Sequence, residues 1–222
     1  EIFDGISYSG PMEGVDANAV RDVAVYSPDQ LQRLRDWVVA NLSALEAGAT
    51  PLYYANNIPD TSVNGLVLHV TYDQHQPAMH WMQLNIRDGM PLQATLFQLT
   101  QKAATSLTGT QPSSGWDVEI GVLSSIIHHG SDTHHDLQGL RCQTRALLLM
   151  DGQHWALGFN QASSANQLFQ DTLGMQRFRA QGTTVFSTIC DATCPELALS
   201  SGPRAETTVA SRPPAVAGTF YP

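Results

Sequence analysis

Leu31, Leu34, Val38, Leu42 and Leu45 recur at the three- and four-residue intervals of one helix face, and the segment carrying them opens on Ser27, Pro28 and Gln30. Ser caps a helix, Pro suits its first position and Gln three residues on can reach back to the cap, so the pattern predicts a helix from Pro28 that Gly48 stops. Residues 1–26 keep no sustained period and read as an irregular lead-in, with one short strand around Val23 to Val25. After the turn-rich TPLYYANNIPDTSVNG, the β-branched and apolar GLVLHVTY (65–72) predicts a strand. In MHWMQLNI, His80, Met82, Leu84 and Ile86 alternate with Trp81, Gln83 and Asn85, the period of a half-buried strand, with DQHQP as the hairpin loop between the two. Asp88 and Gly89 then turn the chain into a second helix, whose face is Leu92, Leu96, Leu99, Ala103 and Leu107 and whose end is Gly109.

The second half repeats this order with more strands. Trp116, Val118, Ile120 and Val122 alternate with Asp117, Glu119 and Gly121, which predicts a strand with one wet face followed by a His-rich loop. QGLRCQTRALLLMDGQHWALGFN holds two or three short strands, with Asp151-Gly152 as a two-residue hairpin turn. Gln167 to Leu173 forms the heart of a short helix, and TTVFSTIC is a last strand. Mixed order and tight hairpins predict an α+β fold with mixed or antiparallel sheets and a few packing helices, not a doubly wound parallel sheet. From Pro195 the Pro, Ser, Ala and Thr content predicts a linker over 195–211 that closes a domain spanning 27–194.

Composition narrows the class without supplying chemistry. With 222 residues, 42 % of them hydrophobic, the chain can bury a core as one large domain or two small ones. A net charge of -9, with ten Arg and the single Lys102 forming no basic run, argues against nucleic acid and anionic membranes as partners. No apolar run approaches the roughly 20 residues of a membrane helix, and the opening EIFDGISYSG lacks the pattern of a signal peptide. Cys142, Cys190 and Cys194 are too few and too unevenly placed for a disulfide framework, so a reducing cytoplasm is the expected setting.

Chemistry-bearing residues concentrate in IIHHGSDTHHD, where His128, His129, His134 and His135 stand beside Asp132 and Asp136. Two imidazoles and a carboxylate can hold a divalent metal, but the spacing matches no zinc pattern and adjacent side chains of an extended backbone point apart. A solvated polar loop is the plainer reading, and a pH-sensitive cluster lies between the two. For His80 and His154 the expectation is a buried imidazole bonded to backbone, because the sequence places no carboxylate beside them. The thiols read as buried and inert. Phosphate loops, dinucleotide fingerprints, G-x-S-x-G and H-E-x-x-H are all missing from the sequence.

RPPAVAGTFYP, Arg212 to Pro222, resembles the opening of a Memo-family domain, whose fold is similar to that of LigB-type extradiol dioxygenases. Memo domains accompany AMMECR-type domains in the AmmeMemoRadiSam system, and residues 27–194 are similar to that family in the order of their blocks: SPDQLQRLRDWVVANLSALEAG, GLVLHVTY, PLQATLFQLTQKAATSL, DVEIGVLS and LQGLRCQTRALLLMDGQHWALGF. The resemblance implies an α+β fold with an internal structural duplication, and a chain that is one part of a larger fusion. Where the family carries L-R-G-C-I-G this chain has HWMQLNI, so no active-site residue transfers. The implied role is a non-catalytic accessory, regulatory or docking domain that works with a Memo-like domain in cis and with a radical-SAM protein. A rival is an enzyme or small-molecule binder using the His-rich loop, and a third is an interaction module unconnected to Memo chemistry.

Overall fold

The computed structural model describes residues 24–72, 79–109, 115–151, 154–175 and 182–201, together with the backbone of 205–209. In chain order the elements are α1 (Pro28–Glu46), β1 (Ser62–Val63), β2 (Gly65–Tyr72), β3 (Met79–Leu84), β4 (Met90–Pro91), α2 (Leu92–Ser106), β5 (Trp116–Ser131), β6 (Arg145–Asp151), β7 (His154–Asn160), α3 (Ala165–Met175), β8 (Thr184–Ala192), β9 (Glu196–Ser200) and β10 (Ala205–Val209). Eight of the strands form one sheet in the order β10-β3-β2-β5-β8-β6-β7-β9, and β1 pairs with β4 apart from it. Every pairing in the large sheet is antiparallel except β10 against β3, so the fold is α+β. Among the described residues no helix is long and apolar enough to cross a membrane.

Local chemistry sets the helix boundaries. The Ser27 hydroxyl accepts the Gln30 backbone N–H and the Gln30 side-chain oxygen Oε1 accepts the Ser27 N–H at 2.8 Å, closing the capping box ahead of α1. Leu34, Val38 and Leu42 lose all exposure on its inner face, each contributing about 1.5–3 kcal/mol. The chain entering α1 is tied down from a distance: the Asp191 carboxylate of β8 accepts the Val25 and Tyr26 N–H groups at 2.8 and 3.0 Å. At α2 the N-cap residue Pro91 has no side-chain oxygen, and the Asp60 carboxylate accepts the Gln93 N–H at 2.9 Å instead.

The sheet curls into a near-barrel. Met82 and Leu84 of β3 share one buried cluster with Leu123, Ala146, Leu148, Trp155, Leu157, Leu197 and Leu199, so side chains from both ends of the strand order meet inside. Gly121 leaves room for that closure, since a Cβ there would sit 2.9 Å from the Leu197 methyl. His80 bridges the gap by donating Nε2–H to the Ser200 carbonyl of β9 at 3.3 Å. Outside the curl, α1 and α2 cover β2, β3 and β5 through Leu66, Leu68, Val70, Trp81, Val118, Ile120 and Val122. On the opposite flank α3 covers β6 and β7 with Leu168 and Phe169 against Leu147 and Leu149. In β3, read as half-buried, both faces are dry at the centre, with Trp81 and Met82 each 1 % exposed, whereas β5 keeps a wet face at its start through Asp117 and Glu119.

Two expectations change. The His-rich segment is not all loop, because β5 continues through Ile126 to Ser131 and pairs with β8 past two bulges. The supposed linker 195–211 supplies β9 and β10, so the sheet extends beyond residue 194. Leu197 and Leu199 explain β9: they alternate with exposed Glu196 and Ala198 and complete the interior. Ala24 and Val25 lie in no strand, whereas Val23, Gly152 and Arg212 to Pro222 lie outside the described residues.

Candidate functional site

A break in strand regularity builds the site. The β5–β8 register shifts between Ser124 and Ile127 and again between His128 and Gly130. Ser125 adopts a φ of 51°, in the left-handed region that non-glycine residues seldom occupy. Gly130, at a φ of 102°, closes the second bulge, and a Cβ there would fall 2.2 Å from the His134 carbonyl oxygen. Bulges re-aim side chains, and here His129 turns onto Ser187 of β8, 58 residues away in sequence.

Hydrogen bonding fixes the imidazole. His129 Nδ1 lies 2.6 Å from the Asp136 carbonyl oxygen, which only accepts, so Nδ1 carries the hydrogen. Nε2 is then the acceptor for the Ser187 hydroxyl at 2.7 Å. Arg145, 2 % exposed at the start of β6, donates Nε–H to the same Ser187 oxygen at 3.0 Å and Nη2–H to the Ser125 carbonyl at 2.7 Å. Burial pushes the His129 pKa down; the hydrogen bond to the Asp136 carbonyl partly offsets this, and the nearby positive charge of Arg145 adds to the lowering. A cavity of about 190 Å³ opens over the group, lined by Ile127, His129, Asp136, Gln138, Gly139, Leu140, Arg145 and Ser187.

A lowered histidine pKa means that folding favours the neutral ring. Its contribution is complete above the unfolded value of about 6.5 and drains away as pH falls through that value toward the folded one. His80, also lowered by burial, acts in the same direction. Stability measured by urea denaturation is expected to fall from pH 7 to pH 5, and His129→Gln is expected to flatten part of that slope. Nitrogen-detected NMR of the imidazole should show the Nδ1–H tautomer at neutral pH, and an Nε2–H tautomer would contradict the network.

The other candidates diverge from this group. His128 is exposed with its ring 5.3 Å from that of Phe186, and His134 is exposed beside the Thr133 hydroxyl. His135 lies over Phe169 of α3 with ring centroids 4.0 Å apart and donates Nδ1–H to the Asp132 carbonyl at 3.1 Å. Asp132 Oδ1 is buried with no hydrogen-bond partner among the described residues. No three His, Cys, Asp or Glu side chains among the described residues come together as metal ligands. His69, by contrast, gains the carboxylate that the sequence does not place beside it: Glu119 lies opposite it on β5 at 2.8 Å. His154 is exposed rather than buried. All three thiols are free, with Cys142 and Cys190 buried and Cys194 pushed up to about 12 chiefly by burial. A hollow of about 340 Å³ on α2, lined by Gln98, Gln101, Lys102, Thr105 and Ser106, holds no imidazole, thiol or carboxylate.

A second feature is presented rather than enclosed. Leu52, Tyr53 and Tyr54 are 61, 60 and 72 % exposed, yet the backbone beneath them is held by buried side chains. Asn41 of α1, with no exposure, donates to the Leu52 carbonyl at 2.9 Å and accepts the Leu52 N–H at 2.7 Å. Trp37 Nε1–H donates to the same carbonyl, and Gln93 of α2 accepts the Ala55 N–H while donating to the Ile58 carbonyl. Two buried amides thus fix a loop that exposes three large apolar side chains in a row.

No family model and no curated protein matches this chain. Its structure is similar to the crystal structure of the uncharacterized protein PH0010 from Pyrococcus horikoshii, with a TM-score of 0.45, 11 % sequence identity and coverage of 77 % of this chain and 97 % of that one.

Proposed function

We propose that the chain is a non-catalytic docking domain of AMMECR-like type that holds a Memo-like domain, with the chemistry residing in that domain or in a radical-SAM partner. The observation that carries this reading is the Leu52-Tyr53-Tyr54 loop, exposed and apolar yet fixed from below by Asn41 and Gln93. Tyrosines on a preordered backbone are favoured interface anchors, because little conformational entropy remains to be lost on binding.

Strand direction favours an occupant in cis. β10 runs parallel to β3 from the His80 end to the Leu84 end. β10 thus ends opposite Leu84, from which the chain passes through Asn85, whose side chain donates to the Gly89 carbonyl, into β4 and α2, and the first turn of α2 carries Gln93. Arg212, where the Memo-like sequence opens, is three residues beyond Val209, within about 11 Å of it even when fully extended. A Memo-like domain opening there would start within that short reach of Val209.

The test is a calorimetric titration of the chain with a separately expressed Memo-like domain whose sequence opens with PPAVAGTFYP. Wild type is expected to bind, and the Tyr53→Ser, Tyr54→Ser double variant to bind at least about tenfold more weakly. Equal affinity of the two proteins, or no binding by either, overturns the proposal.

A further inference from the structure

The cavity over β5 and β8 is lined by a hydroxyl whose proton already has an acceptor. Ser187 donates its hydroxyl hydrogen to Nε2 of His129 at 2.7 Å, and the Asp136 carbonyl holds the other ring nitrogen, so base and tautomer are fixed before any reactant arrives. A hydroxyl beside a base that a third group orients is the arrangement of an activated oxygen nucleophile. Arg145 completes it. With Nη2 committed to the Ser125 and Ser187 carbonyls, its Nε–H is given to Ser187 Oγ at 3.0 Å, where it stabilises the negative charge that grows on that oxygen as the proton leaves. The burial that favours a neutral His129 also keeps Nε2 able to take that proton near pH 7. Ile127 and Leu140 line the same cavity with hydrocarbon and Asp136 adds a carboxylate, a setting suited to an uncharged acyl group and hostile to a phosphoryl dianion.

We infer that Ser187 is an acyl acceptor, with His129 as its base and a small, uncharged, activated acyl ester as the donor. Ser187 Oγ bonds to the carbonyl carbon of the donor while its proton passes to His129 Nε2. The bond from that carbon to the leaving oxygen then breaks, and His129 returns the proton to the departing alcohol. One acyl-serine and one free alcohol result, with no oxidant or reductant required. Ser187 lines the cavity but offers no surface to bulk water, so the new ester is shielded from hydrolysis and the protein is acylated once rather than turned over. The site is separate from the tyrosine loop, and the inference stands or falls independently of docking.

The full 222-residue chain is mixed with p-nitrophenyl butyrate, and nitrophenol release is followed together with the intact mass of the protein. A burst of one equivalent is expected, with one butyryl group recovered on the peptide that carries Ser187, a readout that needs no variant. Ser187→Ala is expected to abolish the burst and His129→Gln to slow it about a hundredfold, each with folding verified by a cooperative melt. The wild-type acylation rate is expected to rise with pH and level off by about pH 6.5, because burial holds His129 below its ordinary value, whereas attack by hydroxide keeps climbing. No burst overturns the inference, as do release that continues past one equivalent, butyryl found on Lys102 or a thiol, a rate still climbing at pH 9, a full burst in Ser187→Ala, or an unslowed one in His129→Gln.

Discussion

Arg145→Leu is expected to remove about 3–5 kcal/mol of folding free energy, the largest loss from any single change at this site. Arg145 supplies hydrogens to the Ser125 carbonyl, the Ser187 carbonyl and the Ser187 hydroxyl from a position 2 % exposed. Leucine replaces none of these donors, and three oxygens then stay buried without them. The same change removes the donor that holds the carbonyl of Ser125, whose φ of 51° is unfavourable, so the bulge that aims His129 should relax. Since a domain of this kind has about 5–15 kcal/mol to lose, the variant should unfold at a much lower urea midpoint, and Arg145→Lys, keeping charge but not the fork, should fall between. A midpoint for Arg145→Leu equal to that of wild type would show that the network is dispensable.

Gly158→Ala is expected to destabilise by about 3 kcal/mol although it adds a single methyl group. Gly158 lies on β7 directly under α3, and a Cβ at that position would come 2.0 Å from Thr172 Oγ1 and 3.2 Å from Thr172 Cβ. Thr172 cannot swing aside easily, because it has no exposure and its hydroxyl donates to the Leu168 carbonyl at 2.6 Å. Helix α3 must therefore lift, opening its contact with Leu147 and Leu149. Removing the obstructing hydroxyl and methyl with Thr172→Ala should restore part of the loss, so the two changes should be strongly non-additive in thermal denaturation. Additive effects would place the cost elsewhere than at this contact.

Sequence and structure agree where local chemistry decides. Helix α1 was legible because its cap, its Pro and its buried face all lie within one short stretch, from Ser27 to Leu42. The alternation of β3 was legible too, but not that Trp81 on its second face also lies in a core, which depends on α1 and α2 packing over it. Strand β9 was hidden by composition: Pro195 and the serines suggest a linker, although Leu197 and Leu199 already carry the strand period. At the site, His129 was visible as a candidate, but Ser187 and Arg145 were not, since two bulges and a three-strand register bring them together. The tandem Ser124 and Ser125 and the glycine at 130 were the available signals of that irregularity. The metal reading relied on histidines close in sequence, and extended backbone sends His128 and His129 to Phe186 and Ser187 by separate routes. The tyrosine loop escaped because its rigidity comes from Asn41 and Gln93, whose partners lie 11 and 38 residues away.

Docking through the tyrosine loop is tested most directly by amide hydrogen exchange on the full chain, alone and mixed with the Memo-like domain. The expected result is slowed exchange across 52–58 and along β3 beside β10, with residues 116–140 unchanged. Unchanged exchange at 52–58, or slowing confined to the His129 segment, would contradict it.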